Sequence, residues 1–135
     1  YHTGLIALSG CANGQIARLL CEGDYDAAKA AAMRYAELFG AGHYYLEMQD
    51  HGLDQDAVIC RGLKRISAET GIPLAATNDA HYLKKDDAML QRLLVCIQTG
   101  TSVSAPSSMA LPNDSFGLKS TEEMNAPLQC DIQIR

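Results

Sequence analysis

Two helical stretches in this chain are each closed by a glycine and followed by a short apolar strand, at Gly40 and at Gly71, 31 residues apart (from 40 to 71). That spacing matches one βα unit. Units of this kind repeated in series lay their strands side by side in one direction with the helices packed against them. The pattern therefore predicts an α/β domain with a parallel sheet, open or closed into a barrel.

The rest of the chain fills in that frame. Leu5-Ile6-Ala7-Leu8, closed by Ser9-Gly10, is apolar on both faces and predicts a buried central strand. Residues 15–22 read as a short helix ended by Gly23. Asp24 suits an N-cap, and from it Ala28, Ala31, Ala32, Tyr35, Leu38 and Phe39 recur at three and four residue steps up to Gly40. Residues 43–48 predict a strand leading into the polar turn Gln49-Asp50-His51-Gly52. Asp54 opens a helix with the stripe Ile59, Leu63 and Ile66, which Gly71 ends. Residues 72–77 follow as another two-faced apolar strand, with Pro73 near its start, where a missing donor is tolerated. A further helix over about 86–98 carries the stripe Leu90, Leu93, Leu94 and Ile97, and Gly100 closes it. Residues 101–108 lose all period and predict a surface loop. Ser120-Thr121-Glu122-Glu123 is a capping-box pattern that starts one more short helix before Pro127, and the last seven residues alternate only weakly.

Bulk properties narrow the functional classes. At 135 residues and 47% hydrophobic the chain fits one domain at most, with enough apolar residues for a core. A formal net charge of −5 gives no basic field for strong nucleic-acid binding by this segment itself. The five cysteines, Cys11, Cys21, Cys60, Cys96 and Cys130, are odd in number and contain no C-x-x-C pair, so a reducing cytoplasm is expected rather than a disulfide framework. No apolar run approaches the roughly 18 to 20 residues of a membrane span, and the first residues lack the order of a signal peptide. The chain begins with Tyr1, which fits processing or excision from something longer.

In a parallel α/β domain the loops after the strands share one face, where ligands gather. Three polar clusters fall there: Ser9-Gly10-Cys11, Gln49-Asp50-His51 and Asn78-Asp79-Ala80-His81. A thiolate, imidazoles and a carboxylate are the donor set of zinc and related divalent ions. Asp79 and His81 stand two apart, so a continuing strand sends both side chains to one side. The competing reading is an aspartate capping the next turn beside a solvated histidine. Cys11 alone equally fits a small buried apolar residue, and Asp50-His51-Gly52 an ordinary turn. Cys21, Cys60 and Cys96 lie within predicted helices and read as core fillers.

Taken in order, Leu5-Ile6-Ala7-Leu8-Ser9-Gly10-Cys11, Leu46-Glu47-Met48-Gln49-Asp50-His51-Gly52, residues 71–82 with their Asn78-Asp79-Ala80-His81, and Cys96-Ile97-Gln98-Thr99-Gly100 resemble successive segments of one known domain. It is the polymerase and histidinol phosphatase (PHP) domain in the form found in bacterial DNA polymerase III alpha subunits. The likeness runs from about residue 4 to residue 124. Gly117 stands where that family's segment has an aromatic, and residues 125–135 do not follow its usual continuation.

The resemblance implies a distorted (β/α)7 barrel of PHP type, of which about three to four βα units are present here, with up to three divalent metal ions, zinc or else manganese or iron, at the strand ends. Residues 1–100 correspond to its C-terminal portion, and residues 101–135 to a loop and short helix leading toward a polymerase region. Carried over by position, Cys11, Asp79 and His81 become metal ligands, while Asn78 and His51 become candidates for supporting them. The family's remaining ligands belong to an N-terminal part of the domain that this sequence does not match. The implied reaction is metal-dependent phosphoester cleavage, a 3′ to 5′ proofreading exonuclease. The implied setting is a replicative DNA-directed DNA polymerase, with DNA and other replisome subunits as partners through the full-length protein. A barrel that only braces the polymerase is the alternative, as is a free-standing phosphatase of the histidinol phosphate type, against which residues 96–100 argue. Three ligands without their partners predict weak metal binding and an open sheet in this segment alone.

Overall fold

A computed structural model describes residues 2–105 and 110–128. The chain divides into two compact units, residues 1–77 and residues 78–135.

In the first unit, β1 (Ala7–Leu8), α1 (Gln15–Cys21), α2 (Tyr25–Phe39), β2 (Tyr44–Met48), α3 (Asp54–Thr70) and β3 (Leu74–Ala76) follow in order. The three strands form a parallel sheet in the order β1-β2-β3, with Ala7 opposite Tyr44 and Leu46 opposite Leu74. This is the parallel α/β arrangement that the glycine-spaced repeat predicts. Gly40 and Gly71 both take positive φ, +87° and +75°, at the ends of α2 and α3. Only a residue without Cβ does so at no cost, and this is what stops each helix and turns the chain toward the next strand. At the start of α2, the Asp24 carboxylate accepts the Ala27 N–H at 3.0 Å, as an N-cap should.

Alternation on β2 sends Tyr44, Leu46 and Met48 into the core and leaves Tyr45 and Glu47 half-buried on the other face. Ile16 of α1, Leu46, and Leu63 and Ile66 of α3 are the largest fully buried side chains. Each contributes about 1.5–3 kcal/mol by leaving water. Gly62 of α3 lets α1 approach, since a Cβ there would lie 2.5 Å from the buried Leu20 side chain. The Tyr44 ring stacks on Phe39 at 6.2 Å and packs against Tyr35 at 5.7 Å, which joins the end of α2 to the sheet.

Several expectations need correction. Leu5-Ile6-Ala7-Leu8 is not a buried central strand: only Ala7–Leu8 pairs, at the sheet edge, and Leu5, Ile6 and Leu8 are exposed. The central position belongs to β2, because it alone among the described strands has a neighbour on both sides. The segment 72–77 likewise narrows to a three-residue edge strand of intermediate burial. Leu38 of the α2 stripe is exposed, and the helix buries Ala28, Ala31 and Ala32 instead. Cys21, expected in a core, ends α1 in an exposed position, whereas Cys60 is buried.

The second unit contains a 3-10 turn (Lys85–Asp87), α4 (Ala88–Thr99) and α5 (Thr121–Leu128). The predicted stripe of α4 is the main departure: Leu90, Leu93, Leu94 and Ile97 are 58%, 37%, 61% and 78% exposed, and the buried residues of this helix are Val95 and Cys96. Periodicity identified an apolar face, but packing covers a different one. The capping box forms as predicted, with the Ser120 N–H donating to Glu123 Oε2 at 2.8 Å and the Glu123 N–H to Ser120 Oγ at 3.2 Å. The helix it starts runs through Pro127 to Leu128 instead of stopping before the proline. Residues 106–109 of the predicted loop, and the weakly alternating end with Cys130, lie outside the described residues.

Candidate metal centre

The loop after β1 is built around Gly14. Its N–H donates to the Cys11 carbonyl at 2.8 Å, and a Cβ at this position would sit 2.7 Å from the Ser9 carbonyl oxygen and 3.0 Å from that of Cys11. Only glycine closes the turn this tightly, and the turn leaves Cys11 exposed rather than buried as a small apolar filler. An exposed thiol in a strand-end loop is available to a soft divalent cation.

His51 sits in the turn between β2 and α3 and is buried. Its backbone N–H donates to Asp56 Oδ2 at 2.8 Å, and the Leu53 N–H donates to the same oxygen at 3.1 Å. Asp56, itself buried, thus closes the first turn of α3 and fixes the His51 backbone. Nearby, Cys60 donates to the Gln49 carbonyl at 3.5 Å, and burial pushes its thiol pKa up, with Asp50 and Asp56 adding to the effect. It is an inert core cysteine.

The ends of the three strands are tied by a polar network that the sequence did not announce. Glu47 Oε2 accepts the Gly10 N–H at 3.1 Å. Its Oε1 accepts the Thr77 hydroxyl at 2.5 Å and the Gln49 amide at 3.2 Å. The Glu47 N–H donates to Ser9 Oγ at 2.8 Å. One signal could have pointed to it: Glu47 is the only charged residue on the described strands, in a segment that otherwise reads as core.

In the second unit, strand geometry does not continue through the D-x-H pair. Asp79 adopts φ +47°, so the expectation that period-two alternation aligns the two side chains fails. A different contact joins them: His81 Nδ1 lies 2.7 Å from the Asp79 carbonyl oxygen. A carbonyl only accepts, so Nδ1 carries the proton, and in the neutral ring Nε2 is the nitrogen that presents its lone pair, the tautomer a metal-ligating histidine needs. The His81 N–H donates to the Phe116 carbonyl at 2.8 Å, and its ring meets the buried Phe116 ring edge-on at 5.9 Å. The ring contact and the Nδ1 bond together fix the orientation of the imidazole. Tyr82 pairs with Gly117 in a parallel bridge, and a Cβ on Gly117 would lie 3.3 Å from the Tyr82 ring. Asn78 donates through Nδ2 to the Ser115 and Gly117 carbonyls at 2.9 and 2.6 Å. It anchors the 115–117 segment and so supports the loop that carries Asp79 and His81.

Cys11 therefore belongs to the first unit, and Asp79 and His81 to the second. Among the described residues no group of three or more His, Cys, Asp and Glu side chains is gathered so as to hold a metal ion. The donor set still fits a divalent cation: an exposed thiol, an exposed carboxylate, and an exposed imidazole with its Nδ1 already satisfied.

The PHP domain family matches residues 1–51, which include β1, the Cys11 turn, α1, α2 and β2. DNA polymerase III subunit alpha of Treponema pallidum is 41% identical over 121 residues, 90% of this chain and 10% of that protein. The same subunit of Deinococcus radiodurans is 41% identical over 128 residues, 95% of this chain and 10% of its own length. The chain is homologous to a segment of DNA polymerase III subunit alpha. A third relative of the same name, from Saccharopolyspora erythraea, is 37% identical over 124 residues. The chain spans about a tenth of the length of the curated relatives it matches. An alignment over 90% of the chain necessarily includes residues 78–81, so the D-x-H loop lies within the shared segment although it is outside the PHP match. No helix among the described residues is long and apolar enough to cross a membrane.

Proposed function

We propose that this chain is the C-terminal portion of a PHP-type metal-binding barrel in a replicative, cytoplasmic DNA polymerase subunit, and that the barrel cleaves phosphoesters as a 3′ to 5′ exonuclease. On this reading residues 1–100 belong to the barrel, and residues 101–135 lead toward the polymerase region, where DNA and other replisome subunits are engaged. The observation that carries it is the His81 imidazole, with Nδ1 satisfied by the Asp79 carbonyl at 2.7 Å and Nε2 left as a donor in a strand-end loop. Homology to the alpha subunits supports the setting.

A bound divalent ion, most simply zinc, supplies Lewis-acid polarisation of a phosphate ester and a water of lowered pKa. The chain's own part is to hold it. Cys11 offers a thiolate once its proton is displaced, Asp79 a carboxylate and His81 a neutral imidazole, while Asn78, bonded to the Ser115 and Gly117 carbonyls, and His51 support these ligands. No residue here is assigned as the general base.

The test is metal content and nuclease activity of the full-length polypeptide that carries this chain, with Cys11→Ala, Asp79→Ala and His81→Ala beside it. Bound zinc, manganese or iron at purification, lost in all three variants together with cleavage of a single-stranded 3′ end, is the expected result. A full-length protein that purifies without metal, and melts identically with and without a chelator, points instead to a barrel that only braces the polymerase.

A further inference from the structure

Glu47 stands in a position that a purely structural residue does not need. Its carboxylate is half-buried at the end of the central strand, and all three of its donors, the Gly10 N–H, the Thr77 hydroxyl and the Gln49 amide, are neutral groups. Holding a charge away from bulk water among neutral donors costs more than holding a neutral amide or an apolar side chain in its place. The charge has a use if a cation is bound nearby.

The positions that Glu47 grips say where. Gly10 immediately precedes Cys11, and Thr77 immediately precedes Asn78 and Asp79. One carboxylate therefore pins the backbone at the root of the Cys11 loop through Oε2 and the last residue before the Asp79 loop through Oε1. Gln49 reinforces the second link by donating to Thr77 Oγ1 at 3.0 Å as well as to Glu47. Ser9, accepting the Glu47 N–H at 2.8 Å, reinforces the first.

We propose that Glu47 is a positioning residue of the metal centre, which sets the roots of the Cys11 and Asp79 loops and adds negative potential at the strand ends where a divalent cation is held. It does not itself touch the cation. This rests on the metal-centre reading above. Glutamine is the informative replacement: it keeps the size, but one carboxylate oxygen becomes an NH2 that meets either the Gly10 N–H or the Gln49 amide donor to donor, since the Thr77 hydroxyl can turn and accept. One link must break, and the charge is gone.

The experiment is a cobalt(II) titration of the full-length polypeptide, followed through the thiolate-to-cobalt charge-transfer band that reports Cys11, with melting measured on each variant. Glu47→Gln should melt close to wild type, bind cobalt about 10–100-fold more weakly and show a smaller or shifted band, the size of effect that groups holding metal ligands have. Thr77→Val removes the hydroxyl that donates to Glu47 and accepts from Gln49 but keeps the Glu47 charge, and should weaken binding by less. Combined with Glu47→Gln its effect should be less than additive, since both changes act on one hydrogen-bonded network. If Glu47→Gln also lowers the melting temperature, Thr77→Val decides: weaker cobalt binding at unchanged melting supports the assignment, and wild-type affinity overturns it. Wild-type affinity and band in Glu47→Gln likewise overturn it, with the metal centre left standing. A wild-type protein that gives no thiolate band overturns the metal-centre reading itself, and this assignment with it.

Discussion

A side chain held in the left-handed region places its Cβ against the following carbonyl, at a cost of about 1–2 kcal/mol that Asp and Asn reduce through local hydrogen bonding. Among the described residues Asp79 is the non-glycine residue that stands there, at φ +47°, within the loop proposed to bind metal. Strain retained at such a place is the pattern expected where function fixes the backbone. Asp79→Gly should therefore raise stability by up to about 1 kcal/mol, read from chemical denaturation, while weakening metal binding. Asp79→Asn keeps a residue tolerant of positive φ and removes the charge, so it should leave melting unchanged and still weaken the metal. A glycine variant less stable than wild type would remove the argument from strain. The D-x-H pair is legible in the sequence as a pattern, but strand geometry does not continue through it. Alternation does not align the two residues; the Asp79 carbonyl fixes the His81 tautomer instead.

At the scale of elements, α2 and α3 are joined across their exposed edges by one carboxylate. Glu69 accepts from Lys29 Nζ of α2 at 2.8 Å and from Arg65 Nε, one turn earlier on α3, also at 2.8 Å. The Arg65 guanidinium in turn lies over the Tyr25 ring at 3.8 Å. Lys29 first, then Arg65, lower the Glu69 pKa from 4.5 to about 2. A depressed carboxylate stabilises the fold fully above its ordinary pKa, and that contribution fades as pH falls through the folded value. Glu69→Gln should thus lower the melting temperature near neutral pH, and the gap between variant and wild type should shrink steadily below about pH 4.5 and close near pH 2. Scanning calorimetry across that range checks it, and a gap independent of pH would show that the pair contributes nothing as ions. Because these side chains are exposed, the effect is small and falls with added salt.

For the whole molecule, the exposed apolar surface is the feature with consequences. Leu5, Ile6 and Leu8 lie open at the β1 edge, and Leu90, Leu93, Leu94 and Ile97 form an uncovered stripe on α4. An unpaired strand edge and contiguous apolar faces drive association in water. The 135-residue chain on its own should bind a hydrophobic dye and sediment as concentration-dependent oligomers, and Leu90→Lys with Leu94→Lys should reduce both without lowering the melting temperature. A monomeric, dye-silent wild-type chain would contradict this. The sequence by itself determined the succession of elements, their stops at Gly40 and Gly71, the caps at Asp24 and Ser120, and which residues with donor side chains stand in the loops after the strands. Each of these depends on groups a few residues apart, which chain order already brings together. Only the tertiary structure decided that β2 is the central strand, that α4 buries Val95 and Cys96 and leaves its leucines exposed, and that Glu47 ties the roots of two loops 37 and 30 residues away in sequence. Which face is covered, and which distant donor meets a carboxylate, is set by neighbours that local periodicity does not encode.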